Sequence, residues 1–186
     1  MKFVFQKAAT ESAFCGLYAR LLHELADEFT HLRTVMEALL HAYTDIFTEV
    51  EGTPDVGSDN YAAFLDAQER KKFRRGYSQF IAELVKLGEA DKKEFATIID
   101  KIVTVLETRH LQDNNALLCE EYIDCLSNLC GCASVLSTAA WAGCVRQRLA
   151  MLASKPRKDV PGITNKARFA LMDLVEKAKR EERLAA

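Results

Sequence analysis

The segment His23-Glu24-Leu25-Ala26-Asp27 sets an imidazole and two carboxylates within little more than one helical turn. A zinc-hydrolase helix needs histidines at i and i+4, so that two imidazoles meet one Zn²⁺ with a glutamate between them as general base. Here Asp27 stands at the second ligand position, with His31 four residues on as a third donor. That set does not assemble three ligands plus a base, and the apolar face of the same segment already accounts for its pattern. The six cysteines are Cys15, Cys119, Cys125, Cys130, Cys132 and Cys144. Cys130-Gly131-Cys132 follows Cys119 and Cys125, but no second Cys-x-x-Cys or histidine pair completes four zinc ligands. Their neighbours Leu117, Leu118, Leu126 and Leu129 suit free, buried thiols in a reducing compartment. No Gly-x-x-x-x-Gly-Lys-Ser/Thr loop and no nucleophile elbow occurs, so neither ATP hydrolysis nor acyl transfer has its machinery. The expectation is a non-enzymatic protein with no metal and no cofactor.

Two basic groups remain. Lys71, Lys72, Arg74 and Arg75 form the first, and Lys155, Arg157 and Lys158 the second, followed by Lys166 and Arg168. Both are able to contact RNA phosphates, and sparse interleaved aromatics make that contact weak, salt-sensitive and indifferent to base. Trp141 shares helical spacing with Val145, Leu149 and Leu152, which marks it as core rather than a base-stacking platform. The net charge of -2 conceals an asymmetry. From Val145 onward there are 11 Lys and Arg against 5 Asp and Glu; of the chain's 25 and 27, 14 against 22 precede it. The first part therefore carries -8 and the tail +6, an imbalance that orients charged partners or simply solvates helix faces.

These residues are positioned by helices. A first helix covers about 2–10. A second begins near Ser12 as cap and carries Phe14, Leu17, Tyr18, Leu21, Leu22 and Leu25 on one broad face. A third, capped near Thr30, runs through Leu32, Val35, Met36, Leu39, Leu40, Tyr43, Ile46 and Phe47. A variable loop lies near 52–60, and the next helix ends at Gly88 with Phe80, Ile81, Leu84 and Leu87 on its buried stripe. Further helices span about 92–108, capped by Asp91, then 117–129 and 139–153. A basic C-terminal helix starts at about 163, after the turn-rich 155–162. About eight helices without alternating strand patterns make the chain all-α. No apolar run approaches the ~18 to 20 residues of a membrane span, and the N-terminus turns polar too early for a secretory leader, so a soluble, cytoplasmic protein is expected. The 186 residues suffice for a single domain over 1–186. Periodicity alone fits a compact bundle nearly as well as a repeat stack.

Three segments settle that choice by resemblance. Phe5-Gln6-Lys7-Ala8-Ala9-Thr10-Glu11-Ser12-Ala13-Phe14 is similar to F-E-K-A-x-x-E-P-x-F, with Tyr18 and Ala19 at a following Tyr-Ala pair. Phe80-Ile81-Ala82-Glu83-Leu84-Val85-Lys86-Leu87 resembles F-I-G-E-L-F-K-L, preceded by arginines matched at Arg74 and Arg75. Thr164 to Leu174 is similar to S-S-R-I-R-F-M-L-Q-D-V, matching directly at Arg168, Phe169, Leu171 and Asp173. In this order they resemble the middle domain of eukaryotic translation initiation factor 4 gamma, and the match covers essentially the whole chain. The resemblance implies a HEAT-type helical hairpin stack, an α-solenoid, that binds a DEAD-box RNA helicase of the initiation factor 4A type. It implies one helicase lobe near Lys7, Thr10, Glu11 and Ser12, the other near Arg148, Lys166 and Arg168, and a larger cap-binding complex joined through regions outside this chain. Relatives in mRNA decay and splicing scaffolds, which grip other DEAD-box helicases, are the alternative. The family opens with one more helix, so the first hairpin is expected to be incomplete and Phe3, Val4 and Phe5 under-buried.

Overall fold

The computed structural model describes residues 2–47, 61–131 and 145–185. Among the described residues there are eight α-helices and no strand. They fall into two compact units, Met1–Asp91 and Lys92–Ala186. The loop near 52–60, Trp141, Cys132 and Cys144 lie outside the described residues.

The first unit holds α1 (Lys2–Thr10), α2 (Cys15–Glu28), α3 (His31–Ala42) and α4 (Tyr61–Leu87). The second half of α4 is apolar over most of its circumference: Tyr77, Phe80, Ile81, Ala82, Leu84 and Val85 are all buried. A helix with so wide an apolar face must be surrounded, and α4 packs against α1, α2 and α3. A single stripe through Phe80, Ile81, Leu84 and Leu87 therefore understates the buried surface, since Ala82 and Val85 are buried too while Leu87 is half-buried. Gly76 permits a close approach of α1 to α4, because a Cβ there would stand 1.8 Å from the Ala9 carbonyl oxygen of α1. The Phe5 ring packs beside Phe73, Tyr77 and Phe80, with centroids 5.8, 4.7 and 5.8 Å away. Phe5 is thus half-buried, and Phe3, at 70 % exposed, is the under-buried residue of the opening helix. Tyr77 donates its hydroxyl to the Leu39 carbonyl at 2.6 Å. Burial holds that phenol above its ordinary pKa.

Helix ends obey backbone chemistry more than side-chain caps. Gly88 closes α4 at φ +82, with Gly88 N–H donating to Val85 O (3.2 Å) and Glu89 N–H to Leu84 O (3.0 Å), a glycine-terminated Schellman pair. Ser12 does not cap α2. It begins a 3-10 turn, Ser12–Phe14, and α2 follows from Cys15. Thr30 precedes α3 without a side-chain cap bond.

The second unit holds α5 (Lys92–Arg109), α6 (Ala116–Leu129), α7 (Arg146–Ser154) and α8 (Asn165–Ala185). α8 packs on α6 and α7, and α5 packs on the same two helices. The core includes Phe95, Ile98, Ile102, Leu106, Ile123, Leu126, Leu149 and Leu171. The connection from α7 to α8 lies against the end of α5: Gly162 N–H donates to His110 O at 2.9 Å, and a Cβ on Gly162 would meet Gln112 O at 2.6 Å. Thr164 caps α8, accepting the Ala167 N–H at 3.2 Å. Among the described residues no helix is long and apolar enough to cross a membrane.

Candidate docking surfaces

The turn between α1 and α2 gathers Lys7, Thr10, Glu11 and Ser12. Lys7 pairs with Glu11 at 2.7 Å, and Glu11 also accepts the Tyr18 hydroxyl at 3.0 Å. The Lys7 hydrogen bond, then that of Tyr18, holds the Glu11 carboxyl below its ordinary pKa. Thr10 donates back to the Gln6 carbonyl at 2.8 Å, and the Ser12 carbonyl accepts from Gln79 at 3.2 Å. The turn is thereby ordered by its own polar groups, leaving the Ser12 side chain exposed.

The basic run beside it is not one open patch. Lys72 is exposed and Lys71 and Arg75 are half-buried, but Arg74 is buried. Arg74 instead lines a cavity of about 350 Å³ with Gln6, Thr10, Ile46, Asp66, Glu69, Arg70 and Phe73. A side chain in that position is poorly placed to track a phosphate backbone.

In the second unit, Arg148 is spent on internal contacts. Its guanidinium donates to both Glu107 oxygens (2.9 and 2.6 Å), to Thr104 at 2.8 Å and to Asp100. Those bonds clamp α7 to α5, with Glu107 held below and Arg148 above their ordinary pKa values, chiefly by their mutual hydrogen bonds. Lys166 is exposed but pairs with Glu120 at 3.0 Å and reaches Asp124 at 3.9 Å. Arg168 forms no ion pair among the described residues. It flanks a groove of about 540 Å³ between α7 and α8, with Ala150, Ala153 and Val175 along it and Met172 at its side.

The second basic group also divides. Lys155 donates to Nε2 of the buried His110 at 3.2 Å, the tautomer set by Nδ1–H donating to Leu106 O at 3.0 Å. Arg157 donates to the Ile163 carbonyl, and both Arg157 and Lys158 are exposed.

The metal and thiol candidates disperse. His23 Nδ1 bonds to the buried Glu89 at 2.6 Å and Asp27 pairs with Arg33 at 2.7 Å, with Arg33 also reaching Glu89 at 3.4 Å, so both are engaged in an ion-pair chain. Among the described residues no three His, Cys, Asp or Glu side chains are grouped to hold a metal. Cys15, Cys119, Cys125 and Cys130 are buried thiols outside any disulfide, and burial pushes the Cys119 thiol up to about 11, leaving it protonated at neutral pH.

One surface escaped the sequence reading. The broad apolar face assigned to α2 is two faces: Cys15, Ala19, Leu22 and Ala26 point into the core, while Phe14, Leu17 and Leu21 are exposed. The signal was there in the small residues at 15, 19 and 26, whose i, i+4, i+7, i+11 spacing with Leu22 fits close helix packing.

Comparison with protein-family models, with curated proteins and with solved structures finds no match to this chain.

Proposed function

We propose that the chain is a non-enzymatic, cytoplasmic scaffold domain that binds a DEAD-box RNA helicase of the initiation factor 4A type and promotes its ATPase and unwinding cycle as mRNA is recruited to the ribosome. The observation that carries this reading is the ordered set of three segments, Phe5 to Phe14, Phe80 to Leu87 and Thr164 to Leu174, each similar to its counterpart in the middle domain of initiation factor 4 gamma. A HEAT-type stack is part of the proposal, supported by consecutive helices that pack on one another, α1 on α2, α2 on α3 and α5 on α6.

The mechanism is a population bias. A scaffold that binds both helicase lobes in a half-closed arrangement lowers the free energy of cycling between open and closed states in proportion to its differential affinity for them. One lobe meets the turn at Lys7, Thr10, Glu11 and Ser12, and the other the region of Arg148, Lys166 and Arg168. Internal pairing ranks the latter three. Arg148 acts by holding α7 in place, Lys166 is shared with Glu120 and Asp124, and Arg168 is left to meet an acidic surface. Larger cap-binding assemblies would join through regions outside this chain. Weak contact with RNA phosphates falls to Lys72, Arg157 and Lys158, the exposed members of the two basic groups.

Arg168→Glu tests the docking assignment. A discrete protein contact loses about tenfold or more in helicase affinity when a like charge faces the acidic patch, whereas distributed phosphate contacts lose affinity gradually. Intact helicase affinity together with reduced RNA affinity would overturn it. Preference for a helicase of mRNA decay or splicing would move the protein to the alternative scaffold class.

A further inference from the structure

We propose that the outer row of α2 is a docking strip for a basic amphipathic helix of a partner protein. Residues 14, 17, 21, 24 and 28 follow the alternating three- and four-residue steps that line up along one side of a helix. Every one of them is exposed here: Phe14 at 53 %, Leu17 at 61 % and Leu21 at 45 %, then Glu24 and Glu28. Isolated exposed apolar side chains are ordinary, but Leu17 and Leu21 continue a row begun by Phe14, the last residue of the 3-10 turn that leads into α2, and α2 already buries Cys15, Ala19, Leu22 and Ala26 on its other side, so the row is surface without an internal use.

The acidic half of the row says what covers it. Glu11 pairs with Lys7, Asp27 with Arg33, and Glu89 with His23 and Arg33. Glu24 and Glu28 form no ion pair among the described residues. Two free carboxylates in line with three apolar side chains repel RNA and anionic lipid headgroups and attract Lys or Arg. A helix that places apolar residues at i, i+3 and i+7, with basic residues one to two turns beyond, satisfies both halves at once. The proposal does not depend on the helicase reading, because it rests on the exposure and charge of this row.

The test uses a synthetic helical peptide with leucine at i, i+3 and i+7 and lysine at i+10 and i+14, made in both sequence orders so that parallel and antiparallel docking are sampled. A twin carries glutamate for lysine. Fluorescence anisotropy on the full chain should show the basic peptide binding about tenfold or more tighter than the acidic one, with the preference shrinking at high salt. The pair Glu24→Lys and Glu28→Lys should invert that preference, and Leu17→Asp with Leu21→Asp should abolish binding with an unchanged helical circular-dichroism spectrum. Equal binding of both peptides, binding of neither, or indifference to the charge reversal overturns the proposal. So does a wild-type dimer that Leu17→Asp with Leu21→Asp dissociates, which would give the strip to a second copy. Retention on anionic vesicles lost in the same variant would give it to a membrane, and equally overturn it.

Discussion

At the scale of single residues, the side chains that bind outward and those that bind inward carry the same charges, and only their partners distinguish them. Arg148 is the clearest case. Read along the chain it is one cation of a basic tail; in the fold it joins α7 to Asp100, Thr104 and Glu107 of α5. Arg148→Met, which keeps most of the apolar stem, should lower the melting temperature at pH 7 by an amount corresponding to about 1.5 to 3 kcal/mol, the worth of hydrogen bonds to charged groups. The pH dependence follows from Glu107, whose folded pKa lies below its ordinary 4.5. A depressed carboxylate contributes stability that is present above the unfolded pKa and lost as pH falls through the folded one. The gap between wild type and Arg148→Met should therefore be full at pH 7 and smaller at pH 3. Equal gaps at the two pH values would assign the loss to packing of the arginine stem.

At the scale of elements, the helices themselves were legible in the apolar spacing. The segments read as 2–10, 92–108 and 117–129 appear as Lys2–Thr10, Lys92–Arg109 and Ala116–Leu129. Gly88 was legible as a stop because a helix end needs the positive φ that glycine tolerates. Ser12 was misleading as a cap, since the chain enters α2 through a 3-10 turn whose bonds a residue pattern does not reveal. Gly76 is the missed signal. A glycine inside a helix costs stability and often marks a close packing contact, here the approach of Ala9. Gly76→Ala should push α1 off α4 and destabilise by about 1 to 3 kcal/mol, as overpacking does, less the roughly 1 kcal/mol gained from helix propensity. Gly16→Ala provides the contrast, because the nearest atom to its added Cβ is the flexible Glu83 side chain at 3.8 Å. That variant should be neutral or more stable. If thermal melts showed the two substitutions to be equivalent, the α1–α4 contact at Gly76 would not be as close as described.

At the scale of the whole molecule, a sequence shows how much apolar surface each helix carries but not which side of it is used. That is why the all-α class was readable, while the division of α2 into a buried row and an exposed row was not. It is also why the basic groups shrink on folding: Arg74 turns inward and Lys155 is tied to His110. Of the basic groups, Lys72, Arg157, Lys158 and Lys166 stay exposed, and Arg168 is half-buried beside its groove. The most direct measurement is the steady-state ATPase rate of purified initiation factor 4A-type helicase with RNA, with and without this chain. The chain alone should hydrolyse no ATP, and the mixture should turn over faster in a saturable way. An unchanged turnover for that helicase and for a panel of other DEAD-box helicases would contradict the scaffold function.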